Sequence, residues 1–172
     1  MVRFDLSSAA ILALAVASSL SAAFWLNHAG QGGEARAAVV MVAAAPAAAT
    51  GVATRITRSP DGHYWAEADI NGRAVKVLVD TGASVVALTR EDAVRLGLRL
   101  TSADFNATVV TAAGPVRAAS VELASVAVAG VRVERVAATV VEEGLPHSLL
   151  GMSYLGRLSS LEATPTGLTL RP

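Results

Sequence analysis

Val77-Leu78-Val79-Asp80-Thr81-Gly82-Ala83-Ser84 is the stretch on which the reading of this chain turns. Three apolar residues run straight into a carboxylate, followed by a hydroxyl, a glycine and two small residues. Aliphatic and β-branched side chains suit a pleated, half-buried surface. Residues 77–79 therefore predict a strand that delivers Asp80 to the edge of the core. Amides of the loop that follows are placed to hydrogen-bond the carboxylate and hold it. Gly82 allows a sharp turn and a close backbone approach. Taken alone, these residues also admit a plainer reading, an Asp that caps a turn with Gly82 at positive φ.

Working outward, 63–70 and 74–79 flank Asn71-Gly72, a two-residue hairpin turn. Residues 85–88 predict a further strand. Thr89-Arg90-Glu91-Asp92 reads as a capping box that opens a short helix ended by Gly97. Strands follow over 107–111, over 116–128 with a bulge, and over 131–141. Ala113-Gly114 and Ala129-Gly130 mark further hairpins, and 168–170 closes the chain. Short β-rich runs separated by turn signals every eight to twelve residues or so argue an all-β sandwich or barrel.

With those elements in place, Asp80-Thr81-Gly82-Ala83-Ser84 after an apolar strand resembles the active-site loop of aspartic proteases. Three later features match in order. Val109-Val110-Thr111-Ala112-Ala113-Gly114-Pro115-Val116 resembles the flap hairpin of retropepsins, without the double glycine of the viral enzymes. Ser148-Leu149-Leu150-Gly151-Met152 matches the apolar-apolar-Gly element that packs beside the active-site loop. Tyr154-Leu155-Gly156-Arg157-Leu158 follows as a short helix before a terminal strand. The resemblance runs from about residue 60 to the C-terminus. It is closest to bacterial single-domain retropepsin-like proteases that carry an N-terminal membrane segment. It implies a small closed β-barrel with a flap hairpin and one or two short helices.

The resemblance also implies roles. Asp80 is the catalytic acid/base, Thr81 braces two such loops across a dimer, Gly82 and Ala83 shape the loop, and Ser84 supports the carboxylate. Thr111, Ala112, Ala113 and Gly114 cover a polypeptide substrate. Leu149, Leu150 and Gly151 back the loop. This chemistry needs two carboxylates sharing a proton, yet the chain has one Asp-Thr-Gly. The second Asp80 must then come from another copy across a two-fold axis. No cofactor or metal is expected.

The chain has 172 residues, no cysteine and a formal net charge of zero. Disulfides, thiolate catalysis and Cys-ligated metals are excluded. Lys and Arg are scattered, so nothing points to nucleic acid. Residues 6–26 carry no charge. At about 1.5 Å per residue this run spans about 30 Å, enough to cross a bilayer. A cleaved signal peptide is the rival reading, given the small-residue site Ser21-Ala22-Ala23. The expected organisation is an N-terminal anchor (1–27), a flexible Ala/Gly/Pro linker (28–54) and a protease domain (55–172). One lysine, Lys76, against 13 arginines, with the alanine bias, suggests a GC-rich bacterium. The expected place is its inner membrane, single-pass, with the domain on the periplasmic side.

Other residues invite chemistry less strongly. His147 follows Pro146 and reads as a loop histidine. His28 and His63 have no partners at metal-ligand spacing. Glu142-Glu143 reads as a solvated loop pair and Tyr64-Trp65 as packing. Ser84 lacks the Gly-x-Ser-x-Gly context of a hydrolase nucleophile. The alternative to a protease is a non-catalytic dimeric binding or scaffold module of the cell envelope that keeps the fold.

Overall fold

Asn71 (φ 53°) and Gly72 (φ 83°) close a hairpin between β2 (Trp65–Ile70) and β3 (Arg73–Val79). Both central residues are left-handed, as the strand twist demands of a two-residue turn. The Asp69 carboxylate accepts the Gly72 N–H at 2.8 Å. Burial alternates along β2, which turns Ala66, Ala68 and Ile70 inward. This is a computed structural model; it describes residues 47–172 except 112 and 113. The expected membrane span, the linker up to residue 46, and Ala112 and Ala113 lie outside the described residues. Among the described residues no helix is long and apolar enough to cross a membrane.

The remaining elements are β1 (Thr54–Thr57), β4 (Val86–Leu88), α1 (Arg90–Arg95), β5 (Ala107–Thr111), β6 (Gly114–Val128), β7 (Val131–Val141), β8 (Ser148–Leu150), α2 (Met152–Leu155), β9 (Ser160–Thr164) and β10 (Gly167–Arg171). Strands run β2-β3-β8-β4-β7-β6, and β6 pairs back onto β2, so six strands close a barrel. Closure removes both sheet edges. β5 hangs outside the barrel on β6. A second sheet, β1-β10-β9, sends Leu168 and Leu170 into the same core as Val77, Leu123 and Val136. Each fully buried aliphatic side chain contributes about 1.5–3 kcal/mol.

Several boundaries differ from expectation for physical reasons. β6 runs unbroken over 15 residues, and the irregularity expected on it lies on the facing strand. The β6–β7 register skips the Ala124–Arg135 position, and Arg135 sits at φ 50°. Its carbonyl accepts from the Arg157 guanidinium at 2.8 Å. Ordered backbone also begins before residue 55. Thr50 and Arg132 exchange backbone hydrogen bonds, both 2.8 Å, and Ala49 is buried.

Thr89 caps α1 as expected, its hydroxyl accepting the Asp92 N–H at 3.1 Å. The return half of the box is relayed. The Thr89 N–H donates to the Ser148 hydroxyl at 3.0 Å, and Ser148 donates to the Asp92 carboxylate. Gly97, at φ 82°, follows the helix end. Burial pushes the Asp92 carboxyl up, but bonds from Ser148, Arg95 and Thr89 outweigh it and hold it below the ordinary carboxylate value. A depressed folded pKa stabilises above the unfolded value and is lost as pH falls through the folded one. Wild type should therefore lose part of its stability below about pH 4, and Asp92→Asn should flatten that acid limb in denaturant titrations. An unchanged acid limb in the variant would show that Asp92 carries none of it.

Candidate active site

β3 ends at Val79 and the next residue is Asp80, whose N–H donates to the Leu150 carbonyl at 3.1 Å. β8 therefore lies beside the loop. It runs parallel to β3 with Val79 opposite Leu150, and antiparallel to β4 with Ala87 opposite Leu149. Just past it, Met152 N–H donates to the Ala83 carbonyl at 2.8 Å. Gly151 stands in the crossing, where a β-carbon would sit 2.1 Å from the Val85 carbonyl oxygen. Leu149, Leu150 and Gly151 thus form the seat under the Asp80 loop.

The Asp80 carboxylate is half-buried, and its Oδ1 accepts the Gly82 N–H at 2.8 Å. Gly82 is not left-handed, so positive φ is not its role. A β-carbon there would lie 3.1 Å from Asp80 Oδ1, so the glycine leaves room for the carboxylate. Thr81 and Ser84 are exposed, and neither hydroxyl is bonded to another of the described residues. Ser84, expected to support the carboxylate, lines the cleft beside it instead.

The contrast with two other acids is informative. Asp61 accepts the His63 N–H at 2.9 Å and the Trp65 indole N–H at 2.8 Å, and these bonds lower its pKa. Asp104 accepts the Thr101 N–H and hydroxyl, at 2.6 and 2.7 Å, and is lowered likewise. Both cap turns, Asp61 through its two oxygens and Asp104 through Oδ2 alone. Asp80 keeps one oxygen open toward a cleft of about 1090 Å³. Val85, Ala87 and Leu149 line the cleft, together with Thr139 and Val141 of β7, Leu145 and Pro146 of the following loop, and Val109, Val110 and Thr111 of the hairpin. The β5 arm of the hairpin therefore lines the same cleft as Asp80. Thr111 donates to the Gly114 carbonyl at 2.8 Å across its end.

Other sequence candidates fall elsewhere. His147 packs edge-on against Trp65, centroids 4.9 Å apart. Tyr64 donates to the Thr164 carbonyl at 3.0 Å and packs on the core. Glu142 is not a solvated loop residue. It is half-buried and paired with Arg117 at 3.1 Å and Arg90 at 3.8 Å. Sequence reading missed it because its partners lie far away in the chain. Among the described residues no three His, Asp or Glu side chains converge as a metal site.

A six-stranded closed barrel with an Asp-Thr-Gly loop seated on β8 beneath a projecting hairpin is the architecture of a retropepsin-like aspartic protease. Comparison with known proteins agrees. Residues 66–157 match the family described as "gag-polyprotein putative aspartyl protease". A retropepsin-like aspartic protease from Rickettsia conorii is 37% identical, with a TM-score of 0.63 over 71% of this chain and 92% of that one. The EIAV protease in complex with the inhibitor HBY-793 is 22% identical, with a TM-score of 0.51 over 63% of this chain and all of that one, a likeness of fold. An uncharacterized protein from the cobV 5' region of a Sinorhizobium species is 41% identical over 112 residues, 64% of this chain and 48% of that protein. Another, from Rickettsia prowazekii, is 43% identical over 102 residues, 59% of this chain and 44% of that protein. The chain thus spans just under half the length of these curated relatives. It belongs to the retropepsin-like aspartic protease family.

Proposed function

We propose that this chain is an aspartic endopeptidase acting on polypeptide substrates as a homodimer, with one Asp80 from each copy. The observation that carries the reading is Asp80 itself. It is the acid of the chain's one Asp-Thr-Gly, anchored on one side by the Gly82 amide and open on the other to the cleft. Two carboxylates about 3 Å apart cannot both ionise, so the pair shares one proton, as in aspartic proteases generally. The charged Asp80 takes a proton from water as its oxygen attacks the scissile carbonyl carbon. The protonated Asp80 gives its proton to the carbonyl oxygen. Collapse of the tetrahedral intermediate breaks the C–N bond, delivers a proton to the leaving amine and restores the singly protonated pair. The exposed Thr81 hydroxyl, without a partner among the described residues, supports a brace to the second loop. Thr111, Ala112, Ala113 and Gly114 would close over the substrate, with Ala83, Ser84 and Leu149 beneath it.

In the same reading, residues 1–27 anchor the protein as a single pass in the bacterial inner membrane, with the protease domain in the periplasm. Confinement to a membrane raises the effective concentration of copies and so favours the dimer.

The test is cleavage of a mixed peptide library by the full-length chain in mild detergent, with and without a pepstatin-type inhibitor, alongside sedimentation. Inhibitor-sensitive cleavage by a dimer is the expected result. A dimer that cuts nothing would turn the reading toward a binding module.

A further inference from the structure

β6 begins its pairing with β7 at Ala118 opposite Val141. Residues 114–117 pair with β5 alone, so the hairpin over the Asp80 cleft is a cantilever rooted at Arg117. Four contacts converge on that root. The Arg117 carbonyl accepts the Glu142 N–H at 2.9 Å. The Arg117 guanidinium donates to the carbonyls of Phe105, at 3.1 Å, and Ser102, at 2.9 Å. It also pairs with the Glu142 carboxylate at 3.1 Å. The other Glu142 oxygen lies 3.8 Å from Arg90 of α1, and the Arg90 guanidinium lies over the ring of Phe105, 5.3 Å from its centroid. Phe105 is buried, which makes it a fixed reference for the network.

Glu142 also opens the loop whose Gly144, Leu145 and Pro146 line the cleft. One carboxylate therefore ties the root of the cover to the root of a cleft wall. Its side chain is only 19% exposed. Arg117 itself is 56% exposed, so the ion pair is half shielded, while the guanidinium's bonds to the Phe105 and Ser102 carbonyls are charge-assisted.

We propose that Arg117 and Glu142 are positioning residues that set the height of the hairpin over Asp80 and so govern substrate binding. The proposal rests on the reading of Asp80 as half of a catalytic pair. Neither residue lines the cleft beside Asp80, so neither is placed to touch a substrate there. Removing the carboxylate leaves Arg90 and Arg117 facing each other without their shared counter-ion, which loosens the root and leaves the Asp80 seat untouched.

The experiment combines kinetics with hydrogen–deuterium exchange on the full-length chain, using the library peptide that wild type cuts fastest. Glu142→Ala is expected to raise KM about three- to tenfold with kcat changed less than about twofold, the pattern of lost binding without lost chemistry. Hairpin amides in 107–111 and 114–117 should exchange about tenfold faster, since opening free energies set exchange rates. Glu142→Asp, which restores the charge, should recover part of both effects. Arg117→Lys keeps the charge but not the fork of bonds. It should shift KM in the same direction and serves as the second variant if Glu142→Ala does not fold. A wild-type KM or wild-type hairpin exchange in a folded variant overturns the proposal. Activity surviving in Asp80→Asn would instead remove the catalytic reading, while the exchange data still judge the clamp.

Discussion

Asp80→Asn is expected to lose peptide cleavage by a factor of about 10⁴ or more while the domain stays folded. Asparagine keeps the shape of the side chain, and its amide oxygen can still accept the Gly82 N–H that Asp80 Oδ1 accepts at 2.8 Å. The half-buried position then gains a neutral group and loses no internal partner. What disappears is the proton traffic. In a homodimer the substitution enters both halves of the site, so neither a base for water nor an acid for the carbonyl oxygen remains. Each such role is worth about 10²–10⁴ in rate. Library cleavage by wild type and variant, with a thermal melt and sedimentation of both, checks the prediction. Cleavage at wild-type rates in the variant would sink the assignment. A variant that cuts nothing but melts and sediments like wild type would place the loss in chemistry.

Much of this architecture was legible because its determinants are local. Asn71-Gly72 names its turn from two residues, and Thr89 names its cap from four. The 107–111 and 131–141 strands fall where alternation and turn signals put them. The unread parts depend on distant partners. β8 is three residues long and exists because β3 and β4 flank it from some sixty to seventy positions earlier. β1 and β9 carry little alternation, and both are organised by β10. Glu142 looked like half of a charged loop because Arg117 and Arg90 lie 25 and 52 residues away. The site shows the same division. The Asp80 loop and the close backbone approach at Gly82 could be read from the motif, whereas the atom that makes the approach could not. The Gly82 backbone is ordinary, and the gap it leaves is what the Asp80 carboxylate uses.

The seat beneath Asp80 makes the second large prediction, for Gly151→Ala. Gly151 has φ −94° and ψ −173°, a conformation any residue adopts, so backbone preference is not the obstacle. Space is. A β-carbon would lie 2.1 Å from the Val85 carbonyl oxygen, 2.5 Å from its carbon and 2.7 Å from the Ala83 oxygen. All three are backbone atoms, and none can rotate away. Relief must come from moving β8 out from between β3 and β4, or from moving the loop. Either path strains the Asp80 N–H bond to Leu150 and the Met152 N–H bond to Ala83. Overpacking against rigid neighbours costs about 1–3 kcal/mol, and with lost ladder bonds the expected destabilisation is about 3 kcal/mol or more. In a domain of this size that lowers the melting temperature by roughly 10 °C. Gly72→Ala is the discriminating control. It has open space around it but φ 83°, so it should cost only about 1 kcal/mol, all of it conformational. Melting curves for both variants, with cleavage assayed well below either transition, separate the two effects. Gly151→Ala should be inactive even where it is folded, because Asp80 takes its position from the strand that the new methyl displaces. A Gly151→Ala protein melting within about 2 °C of wild type would mean that the loop yields easily. Its tight seat could not then be what holds the carboxylate in place.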